Sequence, residues 1–411
     1  MASRSGCAER RARRRRLAGV LVAGAFMPPG SGFVGTGSVR AASLDTPAIR
    51  RAVATTQPSV VFIFVRISGS LFDSRDGTVH GPLVASSKGT GWFVNPDGTI
   101  VTATHVVTPA AADIKVALVD RYIVATTGSQ LETTSAGFAA FMTATSVRDV
   151  TLTPRVITQG MSIPPGASDD DLFRLGRRAV MVAASPITAT DISVIAISGR
   201  DEPATLLQSG PVPTLGVPVG LIGYPRMSPR FSVAPSFTVG PLTFVGHGSS
   251  SIGLATNTLN VANDATVLGT DAFAEHGDSG GPGVDEQAHV IGLVSFGADS
   301  GQPIFLVSAA DIAGELAAAH RRNALGAADQ RWRSGLAAFD RGSLHAALAD
   351  FQACAASSPD NSGCLSWAQR TRAQLAAASS GPITAFVVIG LAAVGLLVVV
   401  TWWRRRSLAT G

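Results

Sequence analysis

Short apolar runs separated by turn residues are the feature that most restricts the fold of this chain. They recur from about residue 45 to about residue 319, for example at Val60–Val65 and Ile192–Ile197, and Gly, Pro, Asn and Asp lie between them. Many short strands with frequent turn signals predict an all-β barrel or sandwich. Residues 120–180 lack this pattern, and we expect an insertion or a set of long loops there.

The N-terminus has the composition of an export signal. Arg10–Arg16 form a basic run and Leu17–Met27 an apolar stretch of 11 residues, about half the length that spans a bilayer. Cleavage could follow Ala25 or Ala41, or the segment could remain as a signal anchor. Residues 1–41 are therefore predicted to be a signal peptide and spacer.

The C-terminus contains a longer apolar segment. Ile383–Trp403 is a run of 21 uncharged residues, and Arg404–Arg406 follow it directly. A helix of that length covers about 30 Å of hydrocarbon, and the arginines favour the cytoplasmic side. The sequence thus predicts a single-pass membrane protein with a transmembrane helix at 383–403, a cytoplasmic tail at 404–411 and everything before the helix outside the cytoplasm.

The basic charge of the chain is concentrated at its two ends. The whole chain has a formal charge of +5, but residues 1–41 hold eight Arg and one Glu, and three more Arg lie at 404–406. Without these residues the net charge is −5. Nucleic-acid binding needs a basic surface on the folded part, so we do not expect it.

One motif carries chemistry on its own. The segment Gly277–Pro282 reads Gly-Asp-Ser-Gly-Gly-Pro and places a hydroxyl on a turn whose glycines let a substrate backbone approach. Acyl transfer also needs N–H groups aimed at the developing oxyanion, and those of Gly277 and Ser279 are the natural donors. The sequence predicts Ser279 as a nucleophile, and an ordinary glycine-rich hairpin is the alternative.

A serine nucleophile needs a base and an acid that orients the base. His105 ends a β-type run, and Asp191 begins an alternating apolar strand. We therefore predict a catalytic triad of His105, Asp191 and Ser279. Three acidic residues are nearer to the histidine in sequence but lack that strand setting, namely Asp113, Asp120 and Asp149.

Stretches on both sides of the triad follow a known pattern: Gly89–Val94, Asp97–Thr102, His105–Val107, Ile222–Pro225, Phe237–Val239, Thr270–Ala272 and Val290–Leu293. Over residues 50–315 the chain resembles the HtrA/Deg branch of the trypsin-like serine proteases. The resemblance implies an all-β fold of two perpendicular six-stranded barrels with the triad in the cleft between them. It also implies a serine endopeptidase that acts on protein or peptide substrates in protein quality control or regulated proteolysis, as a homo-oligomer and without a metal or cofactor.

The same resemblance implies where the substrate pocket lies. Ser295, Phe296 and Gly297 would line it, and Phe273 would lie near its base. Because no Asp is found there, we expect a small or apolar residue before the scissile bond.

The chain departs from the family pattern in several places. His105 and Asp191 are 86 residues apart, which is wider than the family's usual spacing. Position 278 is Asp, where the HtrA branch usually has Asn and where zymogen-activated trypsins have Asp. The sequence has no Ile-Val-Gly-Gly segment that could supply a new N-terminus to neutralise the charge of Asp278. The partner of Asp278 is therefore open. No PDZ-like domain follows the protease.

Residues 325–378 are Ala-rich and predict a short α-helical hairpin module between the protease domain (45–320) and the membrane. The spacing of Gly335, Gly342, Ala347, Phe351 and Pro359 resembles one tetratricopeptide repeat, and a generic helical hairpin is the alternative. The module could be a spacer or a docking surface for a protein partner. Its two cysteines, Cys354 and Cys364, could form a disulfide or remain two buried thiols.

Three functions are open at this point. The first is an active endopeptidase, and the second is a catalytically inactive protease fold that binds or senses at the membrane. The third is a tetratricopeptide-type adaptor with an incidental β domain. A complete set of Ser, His and Asp in fitting contexts favours the first.

Overall fold

The structure is a computed structural model that describes residues 44–164, 166–225, 234–248, 265–297 and 303–378 of the chain. The predicted signal segment at 1–41 and the predicted transmembrane segment at 383–403 lie outside the described residues.

The first barrel is built from seven strands: β1 (Val60–Asp73), β2 (Thr78–Asn95), β3 (Thr99–Ala103), β4 (Thr145–Ile157), β5 (Arg177–Arg178), β6 (Val180–Ala184) and β7 (Ile192–Ala196). Their order in the sheet is β5-β4-β1-β2-β3-β7-β6. The two edges are joined by the chain itself, because β5 pairs with β4, β6 pairs with β7, and only Ala179 separates β5 from β6.

The second barrel also has seven strands: β8 (Leu206–Leu207), β9 (Pro218–Gly223), β10 (Ser236–His247), β11 (Thr266–Thr270), β12 (Pro282–Val284), β13 (His289–Gly297) and β14 (Ile304–Ser308). Their order is β12-β9-β10-β11-β14-β13-β8, and β12 also pairs with β13, which closes the sheet. The core of the first barrel continues into the second through Ile222, Val284 and Leu293.

The prediction of two six-stranded barrels is therefore corrected to two sheets of seven strands. In the first sheet, Ala179 interrupts an edge strand and leaves the two-residue β5 as a separate element. In the second, Leu206 and Leu207 pair in parallel with His289 and Val290 and add the short β8.

In the described part of the chain the barrels are accompanied by the helices α1 (Pro47–Thr56), α2 (Thr104–Val107), α3 (Ala111–Thr127), α4 (Ala136–Ala144), α5 (Asp169–Leu175), α6 (Ala309–Ala318), α7 (Ala327–Asp340) and α8 (Leu344–Ser357). Residues 362–378 are helical as well, and Gln57–Ser59 form a 3-10 turn. Side-chain caps start several helices. The Thr46 hydroxyl, for example, accepts from Ile49 N at 3.1 Å at the start of α1.

The part of the chain between His105 and Asp191 is largely regular. It contains α3, α4, β4 and α5, where the sequence predicted an insertion or long loops at 120–180. Leu118, Ile123 and Phe138 of α3 and α4 form a separate hydrophobic core with Ile67 and Leu71 at the far end of β1. The inserted segment is thus stabilised by a hydrophobic core of its own. It lengthens the sequence between His105 and Asp191 without separating the two residues in space.

The C-terminal helices pack on α1 and on the segment that precedes β8. Trp332 of α7 donates its indole N–H to Thr55 O at 2.9 Å, and Asp329 Oδ1 accepts from Ala204 N at 2.9 Å. Cys354 and Cys364 form a disulfide with their Cα atoms 5.8 Å apart, inside a core that also contains Phe351. The tetratricopeptide resemblance of this segment stays a prediction.

The prediction of a transmembrane helix and of a single-pass membrane protein is corrected by the structure. Within the described ranges, none of the helices combines the length and the apolar character that crossing a bilayer requires.

A partly buried charge cluster links the C-terminal helices to the barrel. Arg177 of β5 donates to Glu202 Oε1 at 2.7 Å and to Asp360 Oδ2 at 2.9 Å. Glu202 is 3% exposed. Burial raises its pKa to about 7, and the nearby Asp360 adds to this effect, although the Arg177 guanidinium opposes it.

This pKa predicts that the protein is more stable in mild acid. An unfolded Glu titrates near pH 4.3, so between about pH 4.5 and pH 7 the folded state keeps a proton that the unfolded state releases. The free energy of unfolding should therefore fall as the pH rises through this window, by about 2 kcal/mol in total once the full shift is discounted for solvent screening at the partly exposed Arg177 and Asp360. Urea denaturation midpoints at pH 5 and pH 8 measure this change. In Glu202→Gln the change should shrink, and an unaltered pH dependence in that variant would assign the effect to other groups.

Candidate active site

His105 lies on α2, the single helical turn that follows β3. Its Nδ1 lies 2.7 Å from Asp191 Oδ2, and its backbone N–H donates to Asp191 Oδ1 at 2.9 Å. The His105 side chain is 31% exposed, whereas that of Asp191 is 3% exposed. The base therefore faces the solvent while the carboxylate that holds it is buried.

Asp191 is held in its place by both barrels. Its backbone has φ 53°, a left-handed conformation that is uncommon for a residue other than glycine. Its carbonyl oxygen accepts from Thr104 N at 2.9 Å, and the Ser295 hydroxyl of β13 donates to Oδ2 at 2.5 Å. The structure thus places Asp191, and not the nearer Asp113, Asp120 or Asp149, on the imidazole.

Ser279 lies on a tight turn between β11 and β12. Glycines with positive φ angles flank it, at 107° for Gly277 and 85° for Gly280. The turn is tied to β13, because Gly280 N donates to Val294 O at 2.7 Å and Val294 N donates to Gly281 O at 2.9 Å. The side chain of Ser279 is half-buried.

The nucleophile turn lies directly against the first barrel. Thr90 N donates to Ser279 O at 2.9 Å. A β-carbon built on Gly89 would lie 3.1 Å from Ser279 O and would also overlap Val106, the residue after His105. Glycine at position 89 therefore permits a close approach that brings Ser279 to the segment that carries His105.

Two backbone N–H groups are available beside Ser279. Within the described ranges, the N–H groups of Gly277 and Ser279 donate to no protein acceptor. They are the two donors that the sequence predicts for an oxyanion. A free pair of donors next to a hydroxyl is the arrangement that stabilises the tetrahedral intermediate of acyl transfer.

A family model for the trypsin-like peptidase domain matches residues 89–293, a span that contains His105, Asp191 and Ser279. The chain carries a trypsin-like peptidase domain. The protein is a serine endopeptidase.

The peptidase also has matches of low sequence identity and low TM-score among solved proteases. The Rv3671c protease from M. tuberculosis in its active form is 22% identical, with a TM-score of 0.40, over 72% of this chain and 96% of that chain. The serine endoprotease from Yersinia pestis is 17% identical, with a TM-score of 0.39, over 67% of this chain and 66% of that chain. The inactive form of the Rv3671c protease is 20% identical, with a TM-score of 0.39, over 66% of this chain and 96% of that chain. No curated protein matches the peptidase.

The sequence left the partner of Asp278 open, and in the peptidase one of its two carboxylate oxygens accepts a hydrogen bond. Its Oδ2 accepts from Glu275 N at 2.9 Å. Its Oδ1 is buried, and no group in the described part of the chain donates to it. Burial raises the pKa of Asp278 to about 6, with a further increase from the charge of Glu275 and a decrease from the Glu275 N–H.

The four predicted pocket residues of the peptidase have different settings. Phe273 follows β11 and is 51% exposed, and its carbonyl oxygen accepts from the Thr238 hydroxyl at 2.5 Å. The Ser295 hydroxyl is directed to Asp191. Phe296 and Gly297 end β13 and pair with Phe305 and Ile304, and their side chains lie outside the described part.

Two polar contacts of the site were not predicted from the sequence. Ser295 was assigned to the substrate pocket, and its hydrogen bond to Asp191 crosses between barrels over 104 residues. Thr90 was part of a stretch that carried a family resemblance, and no role was given to its hydroxyl. The available signal in the sequence was the position of Thr90 between two glycines, which lets other backbone segments approach its small polar side chain without steric hindrance.

Proposed function

We propose that the protein hydrolyses peptide bonds through an acyl-enzyme formed on Ser279. Ser279 Oγ attacks the scissile carbonyl carbon while His105 Nε2 takes the hydroxyl proton. The carbonyl oxygen becomes an oxyanion that accepts hydrogen bonds from the N–H groups of Gly277 and Ser279. His105 then gives its proton to the leaving amine. In the second half of the reaction the same imidazole takes a proton from water, and the water oxygen attacks the ester carbon. The imidazolium then returns the proton to Ser279 Oγ as the bond between Oγ and the acyl group breaks and the acid product leaves.

The observation that carries this proposal is the 2.7 Å contact between His105 Nδ1 and Asp191 Oδ2. A carboxylate accepts hydrogen bonds and does not donate them, so this contact requires the proton on Nδ1. In the neutral imidazole Nε2 is then the acceptor, which is the form that a general base needs. The buried carboxylate also stabilises the imidazolium that forms when the serine proton is taken up.

The biological setting is inferred from the resemblance to the HtrA/Deg branch. It supports a role in protein quality control or regulated proteolysis and a homo-oligomeric assembly. A protein partner of the C-terminal helices remains a prediction of the sequence.

A serine-reactive fluorophosphonate probe tests the proposal on the full chain. The wild type should become labelled, and Ser279→Ala should not. Ser366→Ala is a matched control that should label like the wild type, because Ser366 is an exposed serine whose hydroxyl bonds only within its own helix, to Gly363 O. A folded wild-type protein that neither labels at Ser279 nor cleaves an unfolded protein substrate would leave a catalytically inactive protease fold as the alternative.

Cleavage preference gives a second prediction. Phe273 stands near the expected base of the substrate pocket, and it cannot pair with a basic side chain as an Asp would. We expect peptides with Ala, Val or Leu before the scissile bond to be cleaved at least about tenfold faster, in kcat/KM, than peptides with Arg or Lys. A peptide library with this one position varied measures the ratio, and a preference for Arg or Lys would contradict the pocket assignment.

A further inference from the structure

Thr90 joins the two halves of the active site. It lies on β2 of the first barrel and is fully buried. Its hydroxyl donates to Gly277 O at 2.7 Å and accepts from Tyr224 N at 3.0 Å. Its backbone N–H donates to Ser279 O at 2.9 Å. One residue of the first barrel thus holds two carbonyl groups of the nucleophile turn on the second barrel.

The two carbonyls that Thr90 holds belong to the same residues as the proposed oxyanion donors. Gly277 and Gly280 bound this part of the turn, and both have positive φ angles that leave their backbone few steric limits. A glycine backbone is fixed by its hydrogen bonds, because it has no side chain to restrict it. The anchored carbonyls belong to the peptide groups between residues 277 and 278 and between residues 279 and 280. The N–H groups of Gly277 and Ser279 belong to the neighbouring peptide groups, between residues 276 and 277 and between residues 278 and 279. Because their neighbours are anchored, these donor-bearing peptide groups have little freedom to rotate, and their N–H groups keep a fixed direction.

Thr90 also relates this turn to the catalytic base. Its carbonyl oxygen accepts from the Thr102 hydroxyl at 2.7 Å. Thr102 lies on β3, directly opposite Ser193 on β7. β3 leads into the turn that carries His105, and β7 follows Asp191. The nucleophile turn is therefore connected, through Thr90 and Thr102, to β3 and β7, the two strands that position His105 and Asp191.

We propose that Thr90 is a positioning residue of the acyl-transfer reaction, and that its hydroxyl fixes the Gly277 carbonyl and so restricts the rotation of the two adjacent peptide groups, which carry the oxyanion donors. The inference rests on the proposed function of Ser279. Thr90 is buried behind the turn and acts through Gly277 and Ser279. Because the oxyanion exists only in the transition state and the tetrahedral intermediate, loss of this hydroxyl should slow acylation and leave substrate binding unchanged.

Three variants of the full chain separate positioning from simple stability. Thr90→Val keeps the shape of the side chain and removes the hydroxyl. Thr90→Ser keeps the hydroxyl and loses the methyl group. Thr99→Val is the matched control, since Thr99 is an equally buried threonine of the same barrel whose hydroxyl donates to Asp97 Oδ1 at 2.6 Å, away from the nucleophile turn.

We expect kcat and the rate of fluorophosphonate labelling to fall about 10- to 100-fold in Thr90→Val, which is less than the effect of deleting an oxyanion donor outright. KM should stay within about twofold, and the pH profile should keep its position because Thr90 makes no hydrogen bond to His105. Thr90→Ser should stay within about threefold of the wild type, and Thr99→Val should match the wild-type rate.

The outcomes distinguish this inference from the proposed function. If the wild type labels at Ser279 and Thr90→Val labels as fast as Thr99→Val, the role of Thr90 is structural only. The same holds if Thr90→Ser is as slow as Thr90→Val. If the wild type itself does not label, the proposed function fails together with this inference. Should Thr90→Val not fold, the pair Thr90→Ala and Thr90→Ser replaces it, because both lack the methyl group and only Ser keeps the hydroxyl.

Discussion

Replacing Asp191 by Asn should lower kcat by about 10⁴-fold with the fold intact. The carboxylate of Asp191 is surrounded by donors, namely the His105 N–H, His105 Nδ1 and the Ser295 hydroxyl. An Asn side chain has the same shape but offers one oxygen and one NH₂ group. The NH₂ group of Asn must then lie against either the His105 backbone N–H or His105 Nδ1. An NH₂ group that lies against Nδ1 donates to it, which favours the imidazole tautomer whose Nε2 carries the proton. In that form Nε2 cannot take the serine proton.

The measurement is kcat for a peptide substrate together with its pH dependence. Asp113→Asn is the matched control, because Asp113 is an exposed carboxylate in the first turn of α3 that lies nearer in sequence to His105. It should retain the wild-type rate within about twofold. A kcat for Asp191→Asn above about a tenth of the wild-type value would remove Asp191 from the proposed triad.

Replacing Gly280 by Ala should destabilise the protein by about 3 kcal/mol or more. Gly280 has φ 85°, which an L-residue with a side chain adopts at a cost of about 1–2 kcal/mol. A β-carbon there would also overlap Thr90 O and the Thr102 hydroxyl and lie 2.9 Å from Ala103 N. Relief requires the turn to move away from the first barrel, so activity should fall with stability.

Urea denaturation of the two alanine variants Gly280→Ala and Gly314→Ala tests this expectation. Gly314 is an exposed glycine within α6, and a β-carbon on it would meet nothing within 4 Å. Alanine there should stabilise the protein by up to about 1 kcal/mol because it favours the helix. Wild-type stability in Gly280→Ala would be inconsistent with the close contact between the nucleophile turn and β2.

The residues that the sequence could identify are those whose chemistry is local. Ser279 is marked by its own glycines, and His105 by the strand that it ends. Asp191 was chosen for its position at the start of a strand, and the structure places it on His105 although 86 residues separate them. The roles of these residues stay proposals, whereas the trypsin-like domain that contains them is confirmed.

The contacts that the sequence could not predict depend on how the two barrels meet. Nothing local to Ser295 shows that its hydroxyl reaches Asp191, and the glycines beside Thr90 indicate a close approach without showing that its hydroxyl meets Gly277. The number of strands could not be predicted from the sequence either. β5 and β8 are each two residues long and form strands through their pairing with β4 and β13, which are distant in sequence. The membrane prediction rested on the length and hydropathy of one apolar run and on the arginines that follow it, and no described helix supports it.

The attachment of the C-terminal helices has a practical consequence for recombinant fragments. A fragment cut at the predicted domain end, residue 320, would lose Trp332 and Asp329, which bond Thr55 O in α1 and Ala204 N in the segment before β8. It would also lose Asp360, which shares Arg177 with Glu202. The exposed flank would then carry unsatisfied polar groups and bare apolar surface, a combination that promotes aggregation. Expression boundaries for the catalytic unit should therefore extend at least to residue 378.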